Sequence, residues 1–267
     1  MMTFLSIITL GFFLGMRHAT DADHVIAVST IVTRQRDVGR SALIGAAWGV
    51  GHTLTILLVG AAIILFNLVI PPRIGLSMEL SVGLMLIILG LMNVRSFFRS
   101  IPAPAESRDA STITHSHAHS HGDYVHSHAH GHAPEHHPHR SDQTPLGYLD
   151  RIFGRLLPYQ YLRPLIVGVV HGLAGSAAVA LLVLATIHNG RWAVAYLLVF
   201  GIGTIAGMML ITISIASTVR VLPASLRFSR GLAMASGLLS IGLGLVVAYQ
   251  IIFVHGLLAG RPNWTPQ

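Results

Sequence analysis

Within eleven residues, Met16-Arg-His-Ala-Thr-Asp-Ala-Asp-His-Val-Ile26, the chain carries two imidazoles (His18, His24), two carboxylates (Asp21, Asp23) and the guanidinium of Arg17. They follow an apolar stretch with the character of a membrane segment. Ionisable side chains cost several kcal/mol each at bilayer depth by most estimates, so their presence there marks a site. Nitrogen and oxygen donors together suit a borderline divalent transition metal. Arg17 is expected to pair with Asp21 or Asp23, offsetting charge.

At 100° per residue, His18, Asp21 and His24 share one helical face and Asp23 points elsewhere. His18 and His24 are also about 9 Å apart along a helix axis, whereas metal–ligand bonds are near 2.1 Å. A regular helix therefore cannot bring all four side chains to one ion. Either the helix is interrupted, or another span completes the shell, and His52 in Gly51-His52-Thr53 is the obvious donor. Asp23 has a second reading, in which it orients a histidine without touching the metal.

The elements that must position these groups are membrane helices. The chain has 267 residues, 52% hydrophobic and only 10% charged, against about 25% charged in soluble domains. Five long apolar segments, 41–70, 76–94, 165–188, 192–218 and 231–254, follow the opening one at 1–32, and a crossing needs roughly 20 residues. The expectation is an all-α bundle of about six spans, the first of them bent or followed by a half-helix. The opening segment lacks the basic start and small-residue cleavage site of a signal peptide.

All 17 basic residues are Arg. Arg34, Arg36 and Arg40 follow span 1; Arg95, Arg99, Arg108, Arg140, Arg151, Arg155 and Arg163 lie between spans 3 and 4; Arg220, Arg227 and Arg230 lie between spans 5 and 6. Only Arg73, Arg191 and Arg261 fall on the other side. The positive-inside rule then puts both termini outside and the central loop in the cytoplasm. The net charge of +7 follows from this topology, and no nucleic-acid partner is expected. The chain has no Cys, which removes thiolate ligands and argues against soft-metal sites.

The two halves resemble each other. Gly15-Met-Arg-His18 aligns with Gly168-Val-Val-His171, Trp48-Gly-Val-Gly51-His52-Thr with Phe200-Gly-Ile-Gly203-Thr204-Ile, and Gly83 and Gly90 with Gly237 and Gly244. Three spans per copy is odd, so the second copy must be inverted, an arrangement that places transporter sites near mid-membrane at broken helices. The divisions are 1–98 and 164–256 for the repeats, 99–163 for the loop and 257–267 for a tail. His171, mate of His18, is a further candidate ligand without a neighbouring carboxylate. His188 and His255, near predicted span ends, read as interfacial, as does Glu79.

The loop holds 11 of the 17 histidines: His115, His117, His119, His121, His126, His128, His130, His132, His136, His137 and His139. Pro, Ser, Gly and Ala fill the gaps, so no packed core forms and disorder is expected. Many flexible imidazoles give capacity for metal and little geometric selectivity, which fits a cytoplasmic buffer or sensor.

The pattern His18-X4-Asp23-His24, within Arg17-His-Ala-Thr-Asp-Ala-Asp-His-Val-Ile26, resembles the signature of the nickel/cobalt transporter family, and Gly51-His52-Thr53 looks like that family's second histidine motif. The resemblance covers the first 60 or so residues. It implies an integral membrane permease for Ni2+ or Co2+ as transported substrate, with no permanently bound cofactor. The family's later acidic motifs are absent, and His171-Gly-Leu-Ala-Gly-Ser and Gly201-Ile-Gly-Thr stand in their place. That is more similar to a six-span branch that includes His-loop exporters and relatives associated with urease accessory genes.

The leading expectation is uptake, since inward movement of a dication down 100 mV is worth about 4.6 kcal/mol, about 2.3 per charge. Efflux is the alternative and would need coupling. An accessory protein that delivers metal to urease or hydrogenase, with cytoplasmic metallochaperones as partners, is the other. No enzyme is expected: the His-Glu-X-X-His spacing of a metalloprotease is missing.

Overall fold

The computed structural model describes residues 4–32, 37–66, 68, 70–99, 115–121, 124–130, 159–187, 190–221, 226–258 and 262–264. The order is α1 (Phe4–His18), α2 (Ala22–Val32), α3 (Val38–Phe66), α4 (Pro72–Arg99), β1 (His115–His121), β2 (Tyr124–His130), α5 (Tyr159–Thr186), α6 (Gly190–Val221) and α7 (Leu226–Tyr249), which runs into a π-helical turn over Gln250–Val254.

The architecture is a helical membrane bundle. Among the described residues four stretches are long and apolar enough to cross a bilayer: Val38–Phe66, Pro72–Arg95, Gly190–Val221 and Gly231–Val254. Shorter apolar stretches occupy Ala22–Val32 and Tyr161–Ala174. The opening segment is two helices with a break at residues 19–21, so no single straight span exists there. Leu58, Ile88, Ile202 and Leu239 lie on the outer surface while His24, His52, His171, Thr204 and Thr212 are buried. Apolar side chains outside and polar groups inside are stable only where the surroundings are hydrocarbon.

The packing is two-fold. α3 lies against α5 and α6, α1 against α6, and α4 against α7. Glycines permit the close approaches, and their contacts repeat across the halves. A Cβ on Gly15 would meet the Phe200 carbonyl, and one on Gly168 the Trp48 carbonyl. Likewise Gly51 faces the Leu165 carbonyl and Gly203 that of Phe12, while Gly83 faces Gly244 and Gly90 faces Gly237. Small residues at such crossings bring helix backbones into van der Waals contact, the main attraction between helices in lipid.

These contacts also give direction. α1 and α6 rise together (Gly15 at Phe200, Gly207 at Met16), as do α3 and α5 (Gly168 at Trp48, Gly172 at His52). α3 and α6 run oppositely (Gly45 at Met208, Gly49 at Ile205). α1 and α5, the first helices of the two copies, therefore point in opposite senses, the relation expected of an inverted repeat.

Among the described residues of the histidine-rich segment, β1 and β2 pair antiparallel, with His115 opposite His130, His117 opposite His128 and His119 opposite His126. The His-X-His alternation has the two-residue period of a strand. His132, His136, His137, His139 and His188 lie outside the described residues.

Candidate metal centre

The break in the first helix brings the carboxylates in. At the end of α1, the Thr20 hydroxyl and backbone N–H both donate to the Arg17 carbonyl, at 2.6 and 2.8 Å, and the Asp21 N–H donates to the His18 carbonyl at 3.1 Å. This tightened turn leaves the α-helical path. α2 starts when the Asp21 carbonyl accepts the Val25 N–H at 3.0 Å. Asp23 Oδ1 also accepts the His24 N–H at 2.9 Å, one of the orphan donors of a helix start. The C-terminal carbonyls of α1, the negative end of its dipole, and the carboxylate-bearing start of α2 thus meet at one place.

Four imidazoles converge there. His18 (α1), His24 (α2), His52 (α3) and His171 (α5) form one cluster, with ring centroids 4.7 Å apart for His18–His24, 5.0 Å for His24–His52 and 4.2 Å for His24–His171. His24, His52 and His171 are fully buried. His52 is the central residue of α3, fourteen from either end, or about 21 Å of helix on each side at 1.5 Å per residue. Half a hydrocarbon core is about 15 Å, so the cluster lies at mid-depth of the bundle.

The carboxylates set the rings. Asp21 Oδ2 accepts from His18 Nδ1 at 2.8 Å. Asp23 holds two rings at once, accepting from His24 Nδ1 at 3.1 Å and from His171 Nε2 at 3.0 Å. A ring that donates from one nitrogen presents a lone pair at the other, the arrangement by which a carboxylate prepares a histidine for a metal. His24 Nε2, His52 Nδ1 and His171 Nδ1 are buried and without partners among the described residues. His18 Nε2 and His52 Nε2 are 3.2 Å apart. Two nitrogens about 2.1 Å from one ion stand roughly 3.0 to 3.4 Å apart when adjacent. That separation thus serves a hydrogen bond or a pair of neighbouring ligands.

Two groups have donor atoms within 4.8 Å of one another: His18, His24 and His52, and Asp23, His24 and His171. All five residues singled out in the first two spans are therefore near the cluster, in different roles. Asp21 is half exposed and reaches only His18. Asp23, expected off the shared face, is turned inward by the break. Arg17 is exposed, and among the described residues both carboxylates are engaged by histidines, Asp21 by His18 and Asp23 by His24 and His171.

Trp48 and Phe200 were not anticipated. Trp48 stands 5.8 Å from the His171 ring and Phe200 5.5 Å from His18. They occupy equivalent places in the repeat, so the alignment that pairs His18 with His171 also carried this signal. Glu79 is remote from the cluster and accepts from Trp264 Nε1 at 2.8 Å, fastening the tail to the start of α4.

A helical membrane protein with a buried histidine–aspartate cluster is the class these features define. The chain is 33% identical over 253 residues, 95% of each chain, to the urease accessory protein UreH of Bacillus sp. (strain TB-90). It belongs to the family of that protein. No protein-family model and no solved structure matches.

Proposed function

We propose that the chain carries a divalent transition-metal ion, Ni2+ and/or Co2+, across the cell membrane, in the direction of uptake. The observation that carries this reading is the His18–His24–His52 group, buried mid-bundle at a helix break, with carboxylates on the far nitrogens of His18 and His24. Three neutral imidazoles offer a borderline dication replacement for lost water ligands, and nitrogen-rich coordination suits Ni2+ and Co2+. The inverted halves rock about the cluster to expose it to either side in turn.

The arginine distribution supports a topology with both termini outside and the histidine-rich segment in the cytoplasm. There the loop histidines buffer arriving metal or pass it to metallochaperones. On this reading the cluster is a carrier's site, with the metal ion as cargo.

The relative's name favours a second reading, membrane-bound metal delivery to urease without flux. Efflux is the third. Radiolabelled Ni2+ and Co2+ flux into oriented proteoliposomes, with an imposed potential, separates them. Accumulation driven by an inside-negative potential supports uptake; metal binding without flux supports delivery; potential-independent expulsion coupled to protons supports efflux.

A further inference from the structure

We propose that the cluster is two overlapping ion positions, one bounded by His18, His24 and His52 and the other by Asp23, His24 and His171, with the His24 ring passing the ion between them. The binding part stands on the cluster geometry; the hand-over rests on the transport reading.

His24 is common to both groups, and its two ring nitrogens face different partners. Nδ1 meets Asp23, whose other oxygen meets His171 Nε2. Nε2, at the opposite ring edge, is buried and unpartnered and is left for the His18–His52 side. A neutral ring has one in-plane lone pair, on the nitrogen that lacks the proton, and its two nitrogens point to opposite edges, so one ion cannot use both nitrogens of His24. Two positions are thus built on opposite edges of one imidazole.

The repeat gives the same division. His18 and His171 are equivalent residues of inverted halves, each beside the equivalent aromatic, Phe200 or Trp48. His24 and His52 have no such mates, since Ala177 and Thr204 stand at the corresponding places. Each half therefore contributes its own equivalent histidine, His18 to one position and His171 to the other, while His24 belongs to both. His24 is on α2, the short helix that the break at residues 19–21 separates from α1, so it can turn without moving His18.

The proton balance closes within the rings. With the ion on His24 Nε2, the proton sits on Nδ1 and is donated to Asp23. When the ion crosses to the Asp23 side it takes Nδ1; the Asp23 carboxylate receives the displaced proton, and water entering with the ion carries it on to Nε2. His171 shifts its proton from Nε2 to Nδ1 in the same way. Both rings stay neutral and no proton is released or consumed.

The test uses the full-length protein in detergent with Co2+, whose visible spectrum reports its ligands, and in vesicles with labelled Ni2+. His171→Ala is expected to keep Co2+ in an all-nitrogen site, and His18→Ala to hold it in a site with a carboxylate oxygen, giving two distinct spectra. Both variants are expected to lose at least ten-fold in vesicle flux. Identical spectra in the two variants, or complete loss of Co2+ from either while the protein stays monodisperse, overturns the two positions. His171→Gln and His18→Gln serve where an alanine variant does not fold. Unchanged flux in His171→Ala overturns the hand-over alone. Should the wild-type chain bind Co2+ and carry no flux, the transport reading fails, and the spectra still decide whether two positions exist.

Discussion

The α1–α2 segment and α5 are the same element of an inverted repeat, built differently. The first is broken after His18, and within six residues the break delivers Asp21, Asp23 and His24. The second runs on through His171 and Gly172 as one helix and brings a single imidazole with no carboxylate of its own. It borrows Asp23 from the other half, 148 residues away in sequence. The shared glycine contacts show that both copies must dock identically, while ligand chemistry is concentrated in one of them.

The largest effect tests the frame. Gly168→Leu and Gly15→Leu drive a side chain into the Trp48 and Phe200 carbonyls, and neither backbone can yield locally. Both should abolish recovery of monodisperse protein in size-exclusion chromatography. Loss for one alone would break the claim that the halves dock equivalently.

Next come the ligands. His24→Ala removes the ring shared by both groups and should lower Ni2+ binding at least a hundred-fold by equilibrium dialysis, more than His18→Ala or His171→Ala. Equal losses for all three would erase the contrast between the broken and continuous helices.

The carboxylates come third. Asp23→Asn weakens the orientation of two rings, Asp21→Asn that of one half-exposed ring. Loss of such a supporting group typically costs 10- to 100-fold in metal affinity. The Asp23 variant should lie in that range and the Asp21 variant near its lower bound. The reverse order would show that Asp23 holds the two halves together without preparing ligands.

Smaller still, deleting residues 114–140 should change the efficiency of accumulation in cells without abolishing flux in vesicles. Zero flux with intact folding would place the hairpin on the ion's route. Thr20→Val, which removes one hydrogen bond at the break, should cost about 1 kcal/mol of stability and leave the Co2+ spectrum unchanged. A changed spectrum would show that the hydroxyl helps set the His24 ring.

Much of the frame was legible because it is one-dimensional. Apolar length marks a membrane helix whatever its neighbours, and the spacing of Gly15, Gly51, Gly83 and Gly90 against Gly168, Gly203, Gly237 and Gly244 exposed the repeat before any contact was known. The His18-X4-Asp23-His24 spacing marked a site, and His52 was its expected complement. Ideal-helix geometry put Asp21 on the shared face and Asp23 off it; the break at residues 19–21 leaves Asp21 against His18 at the surface and sets Asp23 between His24 and His171.

Donor types, the apolar length of the helices and the repeated glycine spacing are legible in residue order alone, because each follows from local composition or periodicity. The meeting of His171 with Asp23 and the placing of Trp48 beside His171 and of Phe200 beside His18 were decided only by tertiary packing. Such contacts depend on where a helix breaks and which backbones glycine lets touch, and those are properties of two segments at once.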